Sequence, residues 1–132
     1  MPTPRIAFAI AVYQNKIYCI GGKTDNGLTG VNEVYDSETD TWETKASMPT
    51  PRDWLKANVL NGRIYLAGGY PKSSTLNEGY DAETDSWSTK TPAPTPLIFG
   101  FNSAASTVFN NSIYFLGSFP RSTLQPEPNI RR

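Results

Sequence analysis

The sequence predicts an all-β chain of repeated four-stranded antiparallel units, and three observations predict it. First, Tyr35-Asp36-Ser37-Glu38-Thr39-Asp40-Thr41-Trp42 returns at positions 80 to 87, changed only at Ser37/Ala82 and Thr41/Ser86. Second, Met1-Pro2-Thr3-Pro4-Arg5 returns letter for letter as Met48-Pro49-Thr50-Pro51-Arg52. Third, three pairs of β-branched and aromatic runs are joined by the dipeptides Gln14-Asn15, Asn61-Gly62 and Asn110-Asn111. Asn-Gly between such runs signals a two-residue hairpin, since both turn residues must take positive φ.

Each unit reads in the same order. Ala11-Val12-Tyr13, the turn and Lys16 to Ile20 form the first hairpin, ending at Gly21-Gly22. Its counterparts are Ala57 to Leu60 with Arg63 to Ala67 and Gly68-Gly69, then Ser106 to Phe109 with Ser112 to Leu116. The glycines permit positive φ and the close approach of a neighbouring backbone. A polar loop follows, Lys23 to Gly30 in the first unit and Tyr70 to Thr75 in the second. The third strand, Val31 to Tyr35 or Leu76 to Tyr80, alternates as a half-buried strand does. The acidic octet then turns the chain, and Trp42 or Trp87 opens a fourth strand that runs to the Pro-Thr-Pro corner.

The period supports this register. Tyr35 to Tyr80 and Trp42 to Trp87 both span 45 residues, whereas Gly21 to Gly68 spans 47 and Ile64 to Ile113 spans 49. The differences fall in loops, where stacked repeats tolerate them. The expected division is a first unit at 1–47, a second at 48–93, the first two strands of a third at 94–118 and an extended or disordered tail at 119–132.

Four antiparallel strands per ~45–50 residues describe one blade of a β-propeller. The pattern resembles the Kelch repeat over residues 1–118, through Gly21-Gly22, Tyr35 and Trp42, then Gly68-Gly69, Tyr80 and Trp87, with Gly117-Ser118 as a degraded third pair. The resemblance implies a Kelch-type β-propeller fragment whose ring is incomplete, about two and a half blades long. Buried tryptophans cover ~150–250 Å² each, so Trp42 and Trp87 are expected to anchor one blade to the next. A ring takes about four to eight blades. Two bare end faces of roughly 350 Å² each are therefore expected, and their expected occupants are further blades or other copies of the chain.

Composition narrows the function. Twelve basic residues balance twelve acidic ones, which argues against a nucleic-acid partner. No run approaches the ~20 apolar residues of a membrane helix, so no membrane insertion is expected. The segment Ile6 to Tyr13 behind Arg5 has the length of a secretory h-region but reads as a buried strand. Cys19, mid-strand, reads as a small core residue. The chain has no histidine, which removes Ser-His-Asp and Cys-His catalysis and histidine-ligated metals. Asp36, Glu38, Asp40 and Glu43 do not make an EF-hand loop, because Thr41 and Ser47 stand where its glycine and last glutamate belong. No catalytic residue, metal or cofactor is expected.

In Kelch proteins that bind partners, the resemblance implies, contact comes from the loop after Gly-Gly and from the loop joining consecutive blades. The first supplies Lys23, Asp25, Asn26, Tyr70, Lys72 and Ser73; the second supplies Arg5, Arg52, Asp53 and Trp54. Arg, Tyr and Trp are the types enriched at interface hot spots. Arg5 and Arg52 have a competing reading as salt bridges between blades. Trp54, taken as standing where the first unit has Ile6, is the most informative position. The expected function is a non-catalytic module for protein–protein interaction. The alternative is part of a larger secreted or surface propeller whose carbohydrate-binding or enzymatic residues lie outside this chain.

Overall fold

A computed structural model of the chain describes residues 1–70, 75–93, 105–116 and 130–131. The first blade is an antiparallel sheet in which β1 (Ala9–Tyr13), β2 (Lys16–Ile20), β5 (Asn32–Asp36) and β6 (Thr41–Lys45) lie side by side in that order. Between β2 and β5 the polar loop folds on itself as a short two-stranded sheet, β3 (Lys23–Thr24) with β4 (Gly27–Leu28). The loop reading of Lys23 to Gly30 missed this, because Thr24 closes the turn with its side chain rather than through an apolar run. Its hydroxyl donates to the Gly27 carbonyl at 3.2 Å and accepts from the Asn26 N–H at 3.1 Å.

The second blade repeats the order with β7 (Lys56–Leu60), β8 (Arg63–Ala67), β9 (Asn77–Asp81) and β10 (Ser86–Thr89). Beyond it stands the hairpin β11 (Ala105–Phe109) and β12 (Ser112–Leu116). A short β13 (Ile130–Arg131) runs parallel to β12, so this part of the expected tail is a strand. The remainder of that tail, with Gly117 and Ser118, lies outside the described residues. The strands β1, β7 and β11 are neighbours, one per blade, as inner strands of a propeller are.

All three hairpins turn as expected. Gln14 and Asn15 sit at φ 48° and 61°, Asn61 and Gly62 at 50° and 73°, and Asn110 and Asn111 at 47° and 59°. These left-handed pairs give the type I′ geometry that matches strand twist. Cross-strand registry then follows, with Tyr13 opposite Lys16, Leu60 opposite Arg63 and Phe109 opposite Ser112.

The core lies between blades. From the first blade Ala11, Tyr18, Ile20 and Val34 meet Met48, Ile64, Leu66 and Tyr80 of the second. The next residues along β8, Tyr65 and Ala67, face the other way and pack with Leu60, Ile113 and Phe115. Period-two alternation thus serves two interfaces at once. The third strand departs from the half-buried expectation: Asn32, Glu33 and Val34 are all buried, as are Asn77, Glu78, Gly79 and Tyr80. Both faces of this strand are covered, and the buried acids have a partner described below.

The octet is the β5–β6 connection in one blade and the β9–β10 connection in the next. Asp36 accepts from the Glu38 N–H, and Asp81 from the Glu83 N–H, both at 2.9 Å. These Asx turns use carboxylates as local backbone caps.

Candidate functional site

The end of the blades where β1 begins and β2 ends carries the candidate contact residues. Its foundation is a buried ion pair in each blade. Arg52 is fully buried, and its guanidinium donates to Glu78 Oε1 at 2.8 Å and to the Gly68 carbonyl at 2.7 Å. The Leu76 and Leu66 carbonyls lie at about the limit of hydrogen bonding from the same nitrogens, at 3.3 and 3.4 Å. Thr50 Oγ1 donates to the second Glu78 oxygen at 3.2 Å. Arg5 repeats the arrangement, pairing with buried Glu33 and donating to the carbonyls of Cys19 at 2.8 Å and Thr3 at 3.1 Å.

Both arginines therefore tie the loop that enters a blade to the end of its second strand and to its third strand. They lie inside single blades rather than between blades, and neither guanidinium reaches the surface. Their assignment to an exposed contact loop is corrected: burial with a carboxylate and several carbonyls makes them the supports of that loop. Burial lowers the Arg52 pKa, and the Glu78 charge and its hydrogen bond oppose that fall. The sequence signal for these acids was present and unused: Asn32-Glu33 and Asn77-Glu78 interrupt an otherwise apolar strand at the same register.

The Gly-Gly pairs act as expected. Gly21 and Gly22 lie at φ 72° and 103°, and Gly68 and Gly69 at 74° and 98°. The Gly22 N–H donates to the Arg52 carbonyl of the next blade at 2.8 Å, and a Cβ on Gly22 would sit 2.7 Å from the Ile6 carbonyl. Only glycine permits that approach together with that φ.

On this base the loops are locked to one another. Ile6 bridges Lys23, and Asp53 bridges Tyr70, whose N–H donates to the Asp53 carbonyl at 3.0 Å. These equivalent bridges align Asp53 with Ile6 and Trp54 with Ala7. The expected match of Trp54 to Ile6 was one residue off, because the repeated pentapeptide, and not the apolar character of the next residues, sets the register. Ala7 and Trp54 share a left-handed backbone at φ 56° and 57°. For a residue as bulky as tryptophan this is a strained conformation. It is held by the Trp54 N–H donating to the Ala7 carbonyl at 2.9 Å, across the two blades.

The displayed residues follow. Trp54 is 42% exposed, Tyr70 58% and Ile6 67%. Lys23, Asp25 and Asn26 are exposed on the small β3–β4 hairpin. Asp53 is buried, with one carboxylate oxygen lacking a hydrogen-bond partner. Burial raises its pKa, while its own backbone N–H and the Lys23 charge pull it down. Lys72 and Ser73 lie outside the described residues. The Cys19 thiol is buried and its pKa raised by that burial, which makes it a packing residue. Among the described residues no group of three or more His, Cys, Asp or Glu side chains could hold a metal ion. No helix in the described residues is long and apolar enough to cross a membrane.

The expected tryptophan anchors behave differently from one another. Trp87 stacks on Tyr80 with ring centroids 5.0 Å apart, and its indole N–H donates to the Ala46 carbonyl of the first blade at 2.8 Å. Trp42 stacks on Tyr35 at 5.1 Å, within its own blade.

A sequence profile described as the Kelch motif matches residues 4–49. Residues 4–49 thus carry a Kelch motif. Similar curated proteins include Kelch-like protein 40 of Xenopus laevis, 39% identical over 70 residues that make up 53% of this chain and 11% of that protein. Kelch-like protein 41b of Danio rerio is 34% identical over 70 residues, 53% of this chain and 12% of that one. Alpha-scruin of Limulus polyphemus is 36% identical over 76 residues, 57% of this chain and 8% of that one. The matched stretch thus spans about a tenth of the length of these relatives. The solved structure of YjhT superimposes with a TM-score of 0.71 at 22% identity, covering 89% of this chain and 35% of that one. That likeness supports the fold: four-stranded antiparallel blades of a Kelch-type propeller, with no closed ring among the described residues.

Proposed function

We propose that this chain is part of a non-catalytic binding module whose protein partner contacts the loops at the mouth of the blades, with blade boundaries at residues 47, 93 and 118. The observation that carries the reading is the pair Trp54 and Tyr70. Both are large, exposed aromatics fixed on backbone that is hydrogen-bonded to a neighbouring strand or blade. Rigid aromatics lose little entropy on binding and are enriched at hot spots. Backbone strain of the kind seen at Trp54 concentrates at sites of function. Lys23, Asp25 and Asn26 on the adjoining hairpin, with Asp53 beneath, form the polar rim in this reading. Arg5 and Arg52 take the supporting role. The absence of histidine from the chain and the buried state of Cys19 favour binding over catalysis.

The test is selection of peptides from a displayed library against the whole chain, followed by affinity measurement with Trp54→Gly and Tyr70→Ala. Glycine suits the left-handed backbone at position 54, so the fold is retained. Hot-spot loss of about 2 kcal/mol or more corresponds to at least a roughly 30-fold weaker Kd. The melting temperatures should match that of the unsubstituted chain. Peptides that bind both variants as well as the parent would end the assignment.

A further inference from the structure

Three acidic side chains are buried among the described residues, and they are not alike. Glu33 and Glu78 each meet an arginine, whereas Asp53, 5% exposed, belongs to none of the ion pairs of the described residues. Its Oδ1 has no hydrogen-bond partner, and the backbone N–H that serves the carboxylate is its own. Arg52, one residue back, is committed to Glu78 and to backbone carbonyls. Lys23 of the first blade is near enough for its charge to act on Asp53, yet it makes no ion pair with it. Burying a carboxylate without a counter-ion is costly, so folds rarely keep one without a use.

The backbone shows which way this carboxylate faces. Asp53 and Tyr70 stand directly opposite each other in an antiparallel bridge, so their side chains share one face. Tyr70 is exposed on that face, at the mouth of the blades. Ile6 and Lys23 form the equivalent pair in the first blade, and there both side chains are exposed. Asp53 lies deeper because the first blade's Gly22-Lys23 runs alongside it, the Gly22 N–H being bonded to the Arg52 carbonyl. Trp54, the next residue, is partly exposed on backbone tied to Ala7. A buried acid thus lies between two displayed aromatic side chains. Ring faces are negative, so carboxylate and rings favour the same kind of guest, a cation. An acidic guest would instead meet the Asp53 charge.

We infer that Asp53, between Trp54 and Tyr70, is the anchor point for a basic side chain of the protein partner, a reading that rests on the mouth being the binding surface. The carboxylate supplies the counter-charge and accepts the cation's N–H groups, and the aromatic rings cover its apolar stem. Arginine suits the position best, because its planar fork pairs with a carboxylate and stacks on rings. The first blade offers no second anchor of this kind, since Ile6 and Ala7 occupy the positions of Asp53 and Trp54. The two repeats therefore differ most in chemistry where the partner is read.

Peptides selected from a displayed library against the whole chain should share arginine or lysine at one position. Replacing that residue by citrulline or norleucine, which removes the charge, should weaken Kd at least about 10-fold. Asp53→Asn should cause a loss of similar size, and the two changes together should weaken binding by no more than about 3-fold beyond either alone. Asparagine keeps the shape of the side chain, and an unchanged or raised melting temperature at neutral pH shows that the fold is retained. Peptides that lose affinity in Trp54→Gly and Tyr70→Ala but share no basic residue, or bind Asp53→Asn as well as the parent, overturn this inference and leave the mouth as the binding surface. Peptides indifferent to all three substitutions, or a library that yields no binder, end both. Lys23→Met that lowers the melting temperature of the parent but not of Asp53→Asn also overturns it, because Lys23 itself then holds the carboxylate.

Discussion

Replacing Arg52 by methionine should be among the most damaging single substitutions in the second blade. The guanidinium is fully buried, 2.8 Å from a Glu78 oxygen and 2.7 Å from the Gly68 carbonyl. Methionine fills much of the volume and supplies no donor. The change leaves a 3%-exposed carboxylate and a buried carbonyl without their partner. Breaking a buried ion pair from one side costs about 3–5 kcal/mol, because the remaining charge has lost both water and counter-ion. Domains have total stabilities of about 5–15 kcal/mol, so this is a large share. With a urea m-value of about 2 kcal/mol/M, the unfolding midpoint should fall by about 2 M. The comparison is Arg63→Ala, which removes an exposed pair with Asp81 separated by 3.7 Å. Such surface pairs contribute about 0–1 kcal/mol. Tryptophan fluorescence during urea titration reads both variants. The double variant Arg52→Met with Glu78→Leu should recover more than half of the loss, since no buried charge then remains. If Arg52→Met costs no more than Arg63→Ala, the supporting role assigned to this pair is refuted.

Two further outcomes follow from the same geometry. Gly22→Ala combines a left-handed φ with a Cβ 2.7 Å from the Ile6 carbonyl, and should lower stability by about 2–4 kcal/mol in the same titration. Asp53→Asn should raise stability at neutral pH and have little effect at pH 3, read as melting temperature against pH. The sign follows from a folded-state pKa raised by burial: a raised carboxyl favours the fold below its unfolded pKa, and that advantage is lost as pH rises through the folded value. A destabilised Asp53→Asn at pH 7 would show that its carboxylate is satisfied in the fold.

Much of the architecture was legible in the residues, for identifiable reasons. Asn61-Gly62 encodes its own dihedral angles, so the hairpins and their register could be read locally. The repeated octet revealed the period, and Gly21-Gly22 marked where one blade's backbone touches the next. What escaped depends on partners distant in sequence. Arg52 and Glu78 are 26 residues apart, and nothing local in Pro-Arg-Asp-Trp says that the arginine turns inward. Locally the arginine therefore reads equally as a contact residue or as a salt bridge between blades, and Glu33 and Glu78 read as alternation on a half-buried strand. The β3–β4 hairpin was hidden because Thr24 and Gly27 make it with side-chain capping in a polar loop. The unequal roles of Trp42 and Trp87 could not be read from identical motifs. Among the described residues, a neighbouring blade stands in front of Trp87 and none in front of Trp42.

That difference supplies the most direct measurement. Asp40 and Asp85 share the same residue type, a left-handed backbone and a tyrosine hydroxyl on the same oxygen, but only Asp85 holds a peptide of the neighbouring blade. Glycine at each position, in otherwise identical chains, isolates the contact between blades. Asp85→Gly should lower stability by about 1–2 kcal/mol, the net worth of a hydrogen bond to a charged group, and Asp40→Gly by less than about 0.5 kcal/mol. Because Asp85 has a depressed carboxyl pKa, its contribution should be present above its ordinary value near 3.8 and fade as pH falls through the folded one. Equal losses at the two positions would contradict the account of blades joined by this contact.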